Sequence, residues 1–255
     1  MSELEVQPAG EAAPGLSQMQ RVVNTFSAPS KTFEDIKRGN KSWWMPLIVM
    51  VLGFAVFFAG VQTKITWGQV YENQMRDMPQ FAKNLMDRMT PEQKAEAARK
   101  GPMQQAINAV ATPVGIILIN LIGAGILLAT INFGFGGKAK YSSLLAVEFY
   151  AGLVIWPLRW ILAATTTPFV DPEAFNIQNP APCNLAAFFP SLKASSLVAY
   201  TLLSSIDALT IWGMVLTGIG VAAVAGVKRS SGYIAVFGWW VIGILLGVGV
   251  AAIFG

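Results

Sequence analysis

WWMPLIVMVLGFAVFFAGVQT, residues 43–63, decides the fold class. The stretch has no charged side chain, and its apolar residues cover every face of a helix instead of one. At 1.5 Å per residue, about 20 helical residues cross a hydrocarbon core about 30 Å thick. Trp43 and Trp44 open it, and indole rings prefer the boundary between membrane and water. Pro46 falls in the first turn, where its missing N–H removes no helical hydrogen bond.

Working outward, four more stretches have the same character. Residues 113–133 are interrupted by Asn120, Thr130 and Asn132, and residues 142–164 carry Glu148, Pro157 and Arg159. Residues 197–225 carry Asp207, and residues 232–254 carry no charge. The sequence therefore predicts an all-α integral membrane protein, with a bundle of about five transmembrane helices over 43–255 and amphipathic interfacial helices beside it. Composition agrees: 54% of residues are hydrophobic and 13% charged, where a soluble domain carries about 25% charged residues. Eight tryptophans and 24 glycines fit interfacial belts and close helix contacts.

Several chemistries are excluded. The chain has no histidine, which removes Ser–His hydrolysis and His-based metal sites. Its one cysteine, Cys183, has no disulfide partner and no base to activate it, and reads as a small loop residue. GFGGKAKY, residues 134–141, lacks phosphate-loop spacing. No catalytic, cofactor-binding or metal-binding set is expected. The net charge of +4 comes from residues flanking apolar runs and not from a basic stripe, so no nucleic-acid partner is expected.

Residues 1–18 read as a disordered tail and 19–42 as a cytoplasmic amphipathic segment. Met19, Val22, Val23 and Phe26 share a helical face, and Phe33 and Ile36 lie on a second short turn. Lys31, Lys37, Arg38 and Lys41 surround that turn and, with Trp43 and Trp44, form an expected lipid interface. The segment is either a fixed flank that sets orientation or a regulated lipid-binding element. Basic residues before the first span, Lys138 and Lys140 after the second, and Lys228 and Arg229 after the fourth put the N-terminus in the cytoplasm and the C-terminus outside. The long loop between the first two spans runs against this with seven basic residues, but it also holds five acids, and long loops count for less. Within it, residues 68–102 are expected to be helical and external. Met78, Phe81, Leu85, Met86 and Met89 share a face of a helix capped by Asp77 and are expected to pack in the outer interface or over the bundle. Thr90 to Gln93 forms a capping box, and Gly101-Pro102 is expected to stop that second helix.

Ionisable groups inside a span cost about 3 kcal/mol each, so they pair or line polar cavities. Glu148 and Arg159 share a helix face but lie about 16 Å apart along it, too far to touch. Glu148 is expected near Lys138, Lys140 or Arg229. Asp207 sits about 15 Å into the fourth span and is expected to pair with Arg159, near a kink made by Pro157. The group serves either as a structural bridge or as an ion path. Gly243 and Gly247 form a GxxxG, a surface for close helix approach or self-association.

Ser205-Ile206-Asp207-Ala208-Leu209-Thr210-Ile211-Trp212, followed by Leu216 and Gly218-Ile219-Gly220, resembles the "DxFxIWxxxLxxxG" stretch of the bacterial branch of the YIP (Ypt/Rab GTPase-interacting protein) family. The opening from Phe26 through Pro29 to Phe33, then Trp44 and Pro46, resembles that family's entry motif. The resemblance implies five helical spans, a cytoplasmic N-terminus, an external C-terminus and, for the bacterial branch, residence in the inner membrane. It marks Asp207, Ile211, Trp212, Gly218, Phe26, Pro29 and Phe33 as motif positions. The tyrosine- and glycine-rich central motifs of eukaryotic relatives are missing, which counts against GTPase binding. The expected function is non-enzymatic: organising the membrane, or acting as an adaptor for lipids or other membrane proteins. The alternative is a small transporter or channel using Glu148, Arg159 and Asp207.

Overall fold

In this computed structural model, which describes residues 15–189 and 191–254, the chain is helical almost throughout. The amino-terminal pair is α1 (Gln18–Ser27) and α2 (Pro29–Lys37). Next come α3 (Trp44–Gln62), α4 (Trp67–Arg76), α5 (Gln80–Asp87) and α6 (Pro91–Ala129). After them run α7 (Tyr141–Gly152), α8 (Trp156–Thr166), the single-turn α9 (Leu192–Ser195), α10 (Leu197–Ser205), α11 (Ala208–Ala225) and α12 (Arg229–Phe254). Five helical stretches are long and apolar enough to cross a membrane: α3, α6 with its closing turn to Gly134, α7–α8 through Phe169, α11 and α12. The protein is an all-α, multi-pass membrane protein.

The bundle is held at close approaches. Gly53, at the middle of α3, faces the backbone of Pro157 on α8, and Gly60 faces Ala164 one turn beyond Trp160. α11 and α12 share the largest interface, closed by Gly218 and Gly232, where a side chain would run into Tyr233 or the facing backbone. Leu144, Val147, Phe149, Tyr150, Leu153 and Val154 are fully buried, so the third span is the core around which the others stand.

Several expectations change. Gly101-Pro102 does not end a helix, because α6 runs through it. Gly101 serves packing instead: the Tyr71 ring of α4 occupies the space where its side chain would be. The helix tolerates the hydrogen bond lost at Pro102 within a long, supported run. The expected capping box at its start is present, with Thr90 Oγ1 accepting from Gln93 N at 3.3 Å. Asp77 does not cap the Met-rich helix; it closes α4, and Pro79 stands at the start of α5. No residue of α5 is buried in the chain, and Leu85 is exposed.

The amino-terminal pair does not simply lie on a surface. Phe33 and Ile36 of α2 are fully buried, with Phe33 seated on Gly220 of α11 beside Val147. α1 turns its polar side inward, with Arg21 and Thr25 buried, while Met19, Val23 and Phe26 face out. Most of the expected tail, residues 1–14, lies outside the described residues. Its last part is ordered: Ser17 caps α1, and Leu16 N donates to Asp35 Oδ1 at 3.0 Å.

The fourth span is the largest departure. Residues 197–225 form not one helix but two, α10 and α11, separated at Ile206 and Asp207. The third span is also interrupted, at Leu153–Ile155, where Ile155 N bonds Gly152 O in a tightened turn at 3.1 Å. There Pro157 has no N–H to offer the Leu153 carbonyl, so the helix restarts.

Candidate functional site

The break in the fourth span builds the site. Asp207 is the N-cap of α11: its Oδ1 accepts from Thr210 N at 2.7 Å. The peptide groups freed by the break need partners, because no water reaches them in a hydrocarbon core. Backbone around Cys183 supplies them: Ala208 N donates to Cys183 O at 3.0 Å, and Leu185 N donates to Ile206 O at 3.2 Å. The loop before α9 thus folds back into the bundle and lies alongside Asp207 as a short antiparallel bridge through Asn184.

Arg159 comes from α8, in the turn after Pro157. Its Nη2 donates to Asp207 Oδ1 at 2.8 Å and to Thr210 Oγ1 at 3.1 Å. The Asp207 side chain is 5% exposed and that of Arg159 22%, so the pair is largely withdrawn from solvent. The guanidinium also lies over the Trp156 ring, 5.8 Å from its centroid. Because Pro157 faces Gly53 at the middle of α3, the pair sits level with the middle of α3 and at the amino-terminal end of α11. Cys183 lies close by. Burial pushes its thiol above the ordinary range, and the Asp207 carboxylate pushes the same way, against Arg159.

Beside the pair opens a cleft of about 450 Å³, lined by Asn184, Tyr200, Ser204, Trp240, Gly243 and other residues of α10, α12 and the loop. Asn179 and Asn184 hold each other amide to amide, at 2.7 Å for the shorter bond. Ser204 Oγ is buried without a hydrogen-bond partner.

The remaining candidate residues divide. Glu148 is not brought to Arg159 or Asp207. It faces Gly123 on α6, and no ion pair to Lys138, Lys140 or Arg229 forms among the described residues. Arg229 bonds Ser30 instead, at 3.2 Å. Phe26 and Trp212, from the two quoted motifs, meet edge to face at 6.1 Å. Pro29 is the first residue of α2, and Ile211 packs against the core. Lys31, Lys37 and Arg38 are exposed and Lys41 is half-buried. Trp43 stacks on Phe149 at 4.7 Å, whereas Trp44 stays exposed. Gly243 borders the cleft with nothing within 4 Å of an added Cβ, and Gly247 packs on Thr201 of α10.

Sequence reasoning missed two features. One is the inward loop, signalled only by a cluster of amides at Asn176, Gln178, Asn179 and Asn184. The other is a buried pair locking α1 to α2, Arg21 Nε to Asp35 Oδ2 at 3.5 Å with both side chains 3% exposed. Asn40 donates to Asp35 at 3.0 Å and accepts from Arg21 Nη1 at 2.6 Å, and Arg21 lies over the Tyr150 ring.

Neither a curated protein nor a solved structure matches the chain. The Yip1 domain does, over residues 23–251, an extent that takes in the end of α1, all of α2, the broken spans and the Arg159–Asp207 pair. The chain therefore belongs to the Yip1 domain family.

Proposed function

We propose that the protein is a non-enzymatic membrane-organising adaptor, with α1 and α2 on the cytoplasmic leaflet and the C-terminus outside. The observation that carries this is the docked helix pair. Phe33 on Gly220 and the Arg21–Asp35 lock fix α1 and α2 rigidly to the bundle. The same pair turns apolar Met19, Val23 and Phe26 and basic Lys31, Lys37 and Arg38 outward. Apolar side chains beside cations suit the boundary of one anionic leaflet. A wedge attached to a rigid bundle transmits force to the bilayer or to a neighbouring membrane protein.

The cleft beside Asp207 favours the rival reading, a transporter or channel. Two features oppose it: Glu148 faces α6 while Arg159 turns to α11, and fully buried Phe149, Tyr150, Leu153 and Val154 fill the level between them. The test is reconstitution into vesicles of phosphatidylcholine with phosphatidylglycerol, followed by vesicle diameter and solute flux. The wild-type chain should change vesicle size, and Lys31→Glu with Lys37→Glu and Arg38→Glu should abolish the effect. Solute flux above that of empty vesicles, with no change in size, refutes the adaptor reading.

A further inference from the structure

The cleft beside Arg159 and Asp207 has no part in the docking of α1 and α2. Three observations make it a site for a ligand. It lies at the level of Gly53 and Gly243, near the middles of α3 and α12, where open polar space is costly unless filled. Its volume of about 450 Å³ falls in the range of about 300–1,000 Å³ typical of small-ligand sites. Its wall holds hydrogen-bonding groups still to be used. The Tyr200 hydroxyl accepts from Asn176 at 3.4 Å and keeps its proton to donate. Asp207 Oδ1 takes both the Arg159 and Thr210 bonds, whereas no hydrogen bond goes to Oδ2 among the described residues.

Charge selects the ligand class. Arg159 and Asp207 cancel, so the site has a fixed dipole and no net charge. A simple anion gains at Arg159 and loses at Asp207, a simple cation does the reverse, and either brings an unanswered charge into a low-dielectric space. A ligand with both signs, laid antiparallel, satisfies both ends. We infer that the cleft binds a zwitterion that carries an oxyanion and an ammonium, with the oxyanion toward Arg159 and the ammonium toward Asp207 Oδ2. A phosphoethanolamine lipid headgroup and a free amino-phosphate share this chemistry. The inference rests on the adaptor reading only in naming the membrane as one source, and a failed vesicle-shape assay leaves it standing.

The full chain is placed in nanodiscs containing phosphatidylethanolamine or phosphatidylglycerol, and retained lipid is counted by native mass spectrometry. One phosphatidylethanolamine per chain is expected, retained about tenfold over phosphatidylglycerol, a difference of about 1.4 kcal/mol. Gly243→Leu adds an apolar side chain at the cleft wall, where nothing lies within 4 Å of the added Cβ, and should remove the retention. Asp207→Asn keeps a capping oxygen and should reduce phosphatidylethanolamine to the phosphatidylglycerol level. Binding of O-phosphoethanolamine in phosphatidylglycerol nanodiscs, lost in Gly243→Leu, assigns the site to a soluble zwitterion. Equal retention of both lipids, retention unchanged in Gly243→Leu, or binding of neither probe overturns the inference.

Discussion

Asp207 does two jobs with one oxygen, and the two can be separated by substitution. Asp207→Asn still presents an oxygen to Thr210 N but leaves the Arg159 charge unanswered. Breaking a buried pair costs about 3–5 kcal/mol, and the lower end applies because Arg159 keeps 22% of its side chain exposed. Asp207→Ala also removes the N-cap, for about 1 kcal/mol more. Unfolding in detergent should therefore rank wild type above Asn and Asn above Ala. Equal losses for the two variants would show that the cap contributes nothing. Asp207 and Arg159 were legible from residue type and depth alone, because an ionised side chain in an apolar run needs a partner. Arg21 and Asp35 were not. Charges on an amphipathic segment normally face water, and only the packing of α1 on α2 and of both on the bundle turns this pair inward.

At the scale of elements, glycines decide which helices touch. A side chain at Gly220 would meet Val147 at 2.5 Å and Phe33 at 2.9 Å, so the docking of α2 depends on its absence. Gly220→Leu should eject Phe33, destabilise the chain by about 1–3 kcal/mol as overpacking does, and raise hydrogen exchange in α1 and α2 while α12 stays protected. Unchanged exchange in α2 would mean that Phe33 is not its anchor. Helix existence was readable along most of the chain, and so was the interruption before Pro157, but continuity elsewhere was not. Pro102 lies inside α6 and does not end it, whereas Ile206 and Asp207 divide a run of apolar residues with no proline nearby. The first outcome depends on the Tyr71 ring filling the space at Gly101. The second depends on Cys183 and Leu185 capturing the peptide groups that a continuous helix would use.

Across the whole molecule, five spans place Lys138 and Lys228 at one end of the bundle and Glu96 and Asp171 at the other. Single cysteines at these positions, in a Cys183→Ser background, should label from the cytoplasm at the first two and from outside at the last two; any mixed pattern contradicts the bundle. The sequence by itself determined the class, the number of spans and the partnership of Arg159 with Asp207. Hydrophobicity over about 20 residues and the penalty on buried charge are local quantities that need no neighbours to be evaluated. Only the tertiary structure decided that the fourth span breaks, which glycines are contacts, and that a loop returns beside Asp207 and leaves a polar cleft. Those outcomes depend on which distant backbone and side-chain groups satisfy one another, and linear spacing carries no record of such pairings.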